Sequence, residues 1–412
     1  MRSQSIDVQG FGRFWFDHVL HLLYFGDPAV EQFASQVLGP DMKPCPPVAW
    51  VQTPTATCRY PLQLNLSPFP PQTIAKCIAD LAKAQHGPPP ISAPNLHEAL
   101  LRTFGVGLCD LFLHPYNRKV WGRPLETLAP KIGWTTTRPD LESVVQGALS
   151  VSSNLPYNHN GWYPRPPASA DLRGMGVLSA SIASRVPELM LEHRVVAVDL
   201  ETKAVGVETP DGFKTIVYEN LVSTIPLPAL ARATSDLPAH LVRATKELKH
   251  NRVWSVGICI SGSRPDQGLW RYYSDESICF TRLVFMHEFD DLSAPPGCWG
   301  LLAEVTQPAE EPLPDINVLI RRVLADAKRS GGIGANCEVV GVQAWSCDPA
   351  YVVDTPATEQ TVTELTRFFN VHGVHLLGRY GRWDYLSMAQ VMGEALALAT
   401  ALDPARPAKG AR

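Results

Sequence analysis

A chain of 412 residues, 45% apolar and 18% charged, is too long for one simple core and ordinary in balance for a globular protein of two or three packed units. Its net charge of −4, without any long basic run, excludes a general pull towards nucleic acid, and no apolar run reaches membrane-spanning length. Nine cysteines, an odd count with no C-x-x-C spacing, speak against a disulfide scaffold or zinc site, and Met1–Asp7 has no hydrophobic signal region, so reduced thiols in a cytoplasm are expected.

Residues 14–40 read as a short extended stretch and then a helix with Val30, Phe33, Ala34, Val37 and Leu38 on its apolar face. Val48–Val51 and Arg59–Leu66 read as strands. A helical section spans 71–150, with apolar positions three and four apart (Ile74, Ile78, Leu81; Leu100, Phe104, Leu108, Leu111, Phe112), and Gly87-Pro88-Pro89-Pro90 divides it. Another helix is expected over 172–190. Three short strands follow, Val195–Leu200, Val205–Thr209 and Ile216–Tyr218, with turns at Thr202-Lys203 and Asp211-Gly212, leading into Leu221–Ile225. Further strands fall at 253–260, 269–273, 279–286 and 299–305, and a helix at 315–329.

The chain closes with an apolar strand, Val371–Leu377, the turn Gly378-Arg379-Tyr380-Gly381-Arg382-Trp383-Asp384-Tyr385-Leu386, and a helix through Met392, Ala395, Leu396 and Ala399. Ser387 and Gln390 have capping-box spacing, so that helix starts at Ser387 with its amide groups facing the turn. Such a start carries about half a positive charge and suits an anion.

This closing pattern, G-R-x-x-x-W/Y-x-Y-x-x-M, resembles the flavin-contacting segment of UDP-galactopyranose mutases and their protoporphyrinogen-oxidase-like relatives in the amine oxidase superfamily. The likeness continues in order along the chain. Tyr60-Pro61-Leu62-Gln63-Leu64-Asn65 resembles the family's Y-P-x-Q-x-N element, and Tyr116-Asn117-Arg118-Lys119-Val120-Trp121-Gly122 its Y-[TN]-x-K-x-W-G segment. Arg173-Gly174-Met175-Gly176-Val177-Leu178 resembles a G-G-x-x-x-L helix start, with arginine for the first glycine. Leu221–Pro228 resembles the strand that passes the flavin, and Phe280-Thr281-Arg282-Leu283 the T-R-I-I strand.

The resemblance implies an α/β fold: a Rossmann-like FAD domain of the glutathione-reductase type, a second mixed-sheet substrate domain and a helical insert. The expected boundaries are 1–45, 170–235 and 340–412 for the FAD domain, 46–70 and 236–339 for the substrate domain, and 71–169 for the insert. No G-x-G-x-x-G follows a strand in this sequence. Gly10-Phe11-Gly12 lacks the third glycine, and Gly105-Val106-Gly107 and Gly332-Ile333-Gly334 read as turn or packing glycines. The first βαβ unit of the FAD domain is therefore expected to be missing, about forty residues by the family pattern, with a late-placed start codon preferred over a true truncation or a degenerate copy.

By the same resemblance the cofactor is FAD, contacted by His18, His21, Gly174, Met175, Gly176, Val195, Thr224, Pro226, Gly378, Arg379, Ser387 and Met388. The substrate residues are Asn117, Trp121, Arg138, Arg282, Tyr351, Arg379 and Tyr385, arginine forks being the natural grips for a diphosphate. Several readings of single residues stay open. Trp121 stacks on a uracil or closes a helix end, and Arg138 is a substrate arginine or a loop residue after Thr135–Thr137. His18 and His21 lie beside the flavin, pack plainly, or form a metal pair on a helix without a third ligand. Arg282, polar within an apolar strand, needs a partner or a ligand.

The chemistry expected is flavin-dependent, with no serine triad or zinc motif. The first reading is a mutase-like enzyme for a nucleotide sugar or similar phosphorylated small molecule. The alternatives are an FAD-dependent oxidoreductase (amine oxidase, protoporphyrinogen oxidase or desaturase-like) on a small natural product, and a non-catalytic remnant. Arg271-Tyr272-Tyr273-Ser274 stands where mutases carry asparagine, which implies a bulkier, more aromatic pocket.

Overall fold

The computed structural model describes residues 1–133, 138, 140–149 and 160–403; Thr135–Thr137 and the chain past 403 lie outside the described residues. Strands β1 (Ser3–Val8) and β2 (Gly12–Asp17) form an antiparallel hairpin that sets Ser3 opposite Asp17. After β3 (Leu23–Tyr24) come α1 (Pro28–Leu38), β4 (Met42–Pro44), β5 (Ala49–Gln52) and β6 (Thr57–Arg59). Helices α2 (Pro71–Gln85), α3 (Leu96–Leu108), α4 (His114–Trp121) and α5 (Leu141–Leu149) precede β7 (Gly161–Pro164) and α6 (Gly176–Ala183). Next are β8 (Arg194–Asp199), β9 (Ala204–Thr209), β10 (Gly212–Val217), β11 (Leu221–Ser223), α7 (Leu227–Ala233) and α8 (Ala239–Ala244). Strands β12 (Lys249–Ser261), β13 (Trp270–Tyr273) and β14 (Arg282–Phe285) lead through α9 (Met286–Phe289) to β15 (Cys298–Pro308). The chain finishes with α10 (Ile316–Arg329), β16 (Glu338–Val353), α11 (Thr358–Val371), β17 (Val374–Leu376), α12 (Gly378–Gly381) and α13 (Met388–Leu402).

Two compact units emerge. One comprises Met1–Tyr24, Leu38–Ser181 and His250–Ala350; the other comprises Phe25–Val37, Ile182–Lys249 and Tyr351–Arg412.

The first unit is built on a seven-stranded mixed sheet of order β16-β12-β15-β14-β13-β5-β6. Side chains alternate across its strands. Trp254, Val256 and Ile258 of β12, Leu283 and Phe285 of β14, and Leu301 and Ala303 of β15 therefore share one face. That face packs against Leu319, Val323 and Ala327, spaced every four residues along α10, and forms a buried core. Asp315 caps α10 by accepting from the Asn317 and Val318 amides, which fixes where the helix begins. In the helical section, Gly105 (φ +75°) and Gly107 let α3 lie on α2. A Cβ at Gly105 would stand 2.4 Å from the Asp80 carbonyl carbon, and one at Gly107 2.8 Å from Cys77 Cα. These are packing glycines.

The second unit holds an antiparallel sheet of order β10-β9-β8 and a parallel pair, β11 with β17. Its core is Val198, Val205 and Val207 from the first sheet, Leu227 and Leu230 of α7, Leu365 and Phe369 of α11, and Val374 and Trp383.

Several expected elements change. Arg59–Leu66 is not one strand: β6 ends at Arg59, and Leu62–Leu64 form a 3-10 turn that Asn65 closes by donating from Nδ2 to the Pro61 carbonyl at 2.9 Å. The helix expected over 172–190 is limited to α6, since Gly174 (φ +83°) keeps the chain non-helical just before it. The last strand starts at Val374 because Val371 still belongs to α11. Gly10-Phe11-Gly12 is the tip of the β1–β2 hairpin, with both glycines at positive φ.

Candidate active site

On the first unit's sheet, the face opposite the α10 core carries a different chemistry. Cross-strand register aligns Val51, Tyr272, Arg282, Glu304 and Ser255 in one row across β5, β13, β14, β15 and β12. Directly opposed residues share a face, so this row is a single strip of side chains. Arg282 finds its partner here: its Nε donates to Glu304 Oε2 at 2.5 Å, with the side chains only 15% and 1% exposed. The other carboxylate oxygen, Oε1, accepts the Leu20 backbone amide at 2.6 Å. Ser255 Oγ and Trp345 Nε1 both donate to the His18 carbonyl, at 2.5 and 2.8 Å.

The segment after β2 is thus tied to the sheet at two points. Glycines on the same face make room for what lies above it. A Cβ at Gly257 would stand 2.7 Å from the Trp345 ring, and one at Gly300 3.0 Å from the Phe16 ring. The His18 and Trp345 rings lie 5.8 Å apart. Burial, then Arg2 and the chain's amino terminus, hold the His18 imidazole below its ordinary pKa. His18 and His21 are not on a helix: the segment is irregular, and His21 Nδ1 lies 2.7 Å from the Val19 carbonyl oxygen. Among the described residues no group of three or more His, Cys, Asp or Glu side chains comes together.

Helix α4 supplies the aromatic side of the row. Tyr116 stacks on Phe112 with centroids 5.0 Å apart and meets Tyr272 edge-on at 5.3 Å; Tyr60 approaches Tyr272 at 5.1 Å. Lys119 fastens the helix to the turn after β13 by donating to the Tyr273 and Asp275 carbonyls at 2.8 and 2.9 Å, and burial lowers its pKa to about 8. Trp121 is half-buried, its indole N–H reaching Asn117 Oδ1 at 3.3 Å, while Asn117 Nδ2 donates to Leu113 one turn back. Arg138 is exposed.

Gly174, Met175 and Gly176 gather around a buried carboxylate. Asp17, 2% exposed, accepts from Ser3 Oγ, Tyr163 Oη and the Met175 amide, each at 2.7 Å, and Ser3 Oγ accepts the Gly176 amide at 2.7 Å. A Cβ at Gly174 would stand 2.5 Å from Asp17 Oδ1. Burial pushes the Asp17 carboxyl up to about 6, with the three hydrogen bonds opposing that rise. Just before this turn, Arg173 forms a buried pair with Asp290 at 2.7 Å and donates to the Pro166 and Pro167 carbonyls.

In the second unit, β11 and β17 run parallel, so their carboxyl ends open on the same side, where ligands of α/β sheets sit. Thr224 and Pro226 leave one strand; Gly378 and Arg379 leave the other. The Leu377 amide donates to the Ser223 carbonyl at 3.0 Å. A Cβ on Gly381 would stand 2.6 Å from that same oxygen, so α12 lies directly on the end of β11. Arg379 donates through Nε and Nη2 to the Leu386 carbonyl at 2.8 and 2.6 Å, and its guanidinium lies 4.6 Å over the Tyr385 ring. Tyr351 approaches Tyr385 at 5.7 Å. Helix α13 opens with the reciprocal capping box: Ser387 Oγ accepts the Gln390 amide and Gln390 Oε1 accepts the Ser387 amide. Val195 lies elsewhere, on the β10-β9-β8 sheet and partly exposed.

Sequence reasoning missed Glu304 and Asp17, the two carboxylates that organise the first unit's polar contacts. The available signal for Glu304 was a lone acid inside the apolar run Leu301-Leu302-Ala303-Glu304-Val305.

A parallel pair whose carboxyl ends open on one side, a capped helix start after it, and a mixed sheet with a polar face define a two-unit α/β protein. The family model for flavin-containing amine oxidoreductases matches residues 106–390, more than half of the chain, and the chain belongs to that family. Membership implies FAD as cofactor. Among solved structures, reduced UDP-galactopyranose mutase superposes with a TM-score of 0.84 at 19% identity, covering 96% of this chain and 86% of the mutase. A putative protoporphyrinogen oxidase from Exiguobacterium sp. gives 0.68 at 14% identity, with 96% and 90% covered. Cyclohexylamine oxidase from Brevibacterium oxydans gives 0.59 at 14% identity, with 97% and 91% covered. At these identities the likeness establishes the fold. Among the described residues no helix is long and apolar enough to cross a membrane.

Proposed function

We propose that this chain is an FAD-dependent enzyme acting on a nucleotide sugar or similar phosphorylated small molecule, with mutase-like chemistry. The observation that carries the reading is the row Tyr272–Arg282–Glu304: a guanidinium paired with a buried carboxylate, flanked by aromatic rings, on one face of a mixed sheet. Arg282 donates through Nε to Glu304, and a guanidinium fork is the side chain whose geometry suits phosphate oxygens. Asn117 and Trp121 stand on the helix that brings Tyr116 to this row. The likeness of the fold to the mutase is in keeping with this choice.

Thr224, Pro226, Gly378, Arg379, Ser387 and Met388 would hold the flavin ring, because they converge at the carboxyl ends of two parallel strands. The donors there, backbone amides at the start of α13 and a fixed arginine, suit the negative charge of a reduced ring. FAD, when bound, supplies the electron-rich centre that the side chains of this protein lack. The Tyr385 ring lies under the Arg379 guanidinium and the Tyr351 ring approaches Tyr385, so both tyrosines would serve as substrate hydroxyl donors on this side. All nine cysteines are free thiols, which supports a reducing cytoplasm as the site of action.

The test is a flavin absorption band in the purified protein, followed by calorimetric titration with UDP. Arg282→Lys should weaken UDP binding by about tenfold, since an ammonium cannot reproduce a fork. A yellow protein that takes up no UDP would overturn the nucleotide-sugar reading. One observation favours a second reading, oxidation of a small amine or alkene: the rings of Tyr60, Tyr116 and Tyr272 crowd the same row and suit an uncharged, flat substrate. Anaerobic bleaching of the flavin by a panel of such compounds would support it.

A further inference from the structure

On the first unit's sheet, Glu304 does more than hold Arg282, because it also reaches a segment outside the sheet. Glu304 is among the least exposed charged side chains of the chain, and both of its carboxylate oxygens are engaged, one by Arg282 Nε and one by the Leu20 backbone amide. A buried carboxylate bonded on both oxygens has little freedom, and it transmits that rigidity to both partners. The second tether of the same segment, the His18 carbonyl, is held by Ser255, the next residue along the row, and by Trp345. So the backbone of residues 18–20 and the guanidinium of Arg282 are bound to neighbouring positions on adjacent strands.

We propose that Glu304 is a positioning residue that sets Arg282 and the His18–Leu20 segment against each other, so that an anion taken up by Arg282 alters the hold on that segment. The coupling half of this statement rests on the phosphorylated-substrate reading given above; the positioning half does not. The physical reason is competition. A phosphate that draws on the Arg282 fork weakens or re-aims the Arg282–Glu304 contact, and the carboxylate can then answer only through its other oxygen, on Leu20.

Amide hydrogen exchange in the full-length protein tests both halves without any activity assay. Glu304→Gln keeps the size and one acceptor but removes the charge; Glu304→Asp keeps the charge and shortens the reach. Exchange at the Leu20 amide should quicken by about tenfold in Glu304→Gln and less in Glu304→Asp, while amides of Ile258 and Leu302 inside the sheet keep their wild-type rates. Inorganic diphosphate should change exchange across residues 18–20 in the wild type and leave it unchanged in Glu304→Gln. Wild-type exchange at Leu20 in Glu304→Gln would overturn the proposal, and so would a rise shared equally by Ile258 and Leu302, which would mean a purely structural acid. If diphosphate fails to bind the wild type, the coupling and the phosphorylated-substrate reading fall together, while the ligand-free rates still decide whether Glu304 positions the segment.

Discussion

The polar face of the first unit and the closing corner of the second are built from different materials. Around Arg282 the site is written in side chains: a buried ion pair, a serine and a tryptophan that grip a carbonyl, and rings on a neighbouring helix. Around Gly378–Met388 it is written mainly in backbone: parallel strand ends, a glycine pressed on a carbonyl oxygen, and a capped helix start. A side-chain site is sensitive to charge and composition. A backbone site is sensitive to whether a Cβ is present at all.

The sharpest way to break this contrast is to remove one member of the buried pair. Arg282→Ala leaves Glu304 buried without its cation and should cost about 3–5 kcal/mol, read as a lowered midpoint in chemical denaturation. A loss below about 1 kcal/mol would place the pair with surface ion pairs and dissolve the distinction.

Next in size is Gly381→Ala. The added methyl meets the Ser223 carbonyl, so about 1–3 kcal/mol should be lost, with a drop in bound flavin, although no charge has changed.

Asp17 makes the stability of the first unit depend on pH. Its folded-state pKa, raised to about 6 from 3.8, means the folded protein binds the proton more tightly than the unfolded chain. Between about pH 6 and pH 4 this group therefore makes the fold more stable as pH falls, by at most about 1.4 kcal/mol per pH unit. Carboxylates stabilised by cations act in the opposite direction. Urea denaturation across that window, compared with Asp17→Asn, should show the difference, and an Asn variant with the wild-type slope would remove Asp17 as the cause.

The smallest effect is expected at the cap. Ser387→Ala gives up the Oγ that accepts the Gln390 amide and should cost about 1 kcal/mol, measured by thermal denaturation.

How much of this could be read in advance follows the same division. The antiparallel strands β8 to β10, the strands β12 to β15 and the capping box at Ser387 were legible, because period-two alternation and cap spacing are local signals. The need of Arg282 for a partner was legible too. The identity of that partner was not, since Glu304 is brought opposite only by strand register, and its second contact, Leu20, is distant in sequence. Strand β16 escaped because it is mostly half-exposed and carries no clean alternation, and α11 because its apolar face is narrow, only Leu365 and Phe369 being buried apolar residues. Asp17 sat in plain view beside Phe16, but that Ser3, Tyr163 and Met175 all converge on it is a fact of tertiary packing.

Because Gly257 leaves just enough space for the flat indole of Trp345, whose N–H is spent on the His18 carbonyl, that ring packs on the sheet and is hydrogen-bonded to the segment beside it. Its fluorescence lifetime and emission colour will register any water that reaches that carbonyl. The protein therefore contains an optical gauge of its own polar face, which a Trp345→Phe subtraction would isolate from the other nine tryptophans.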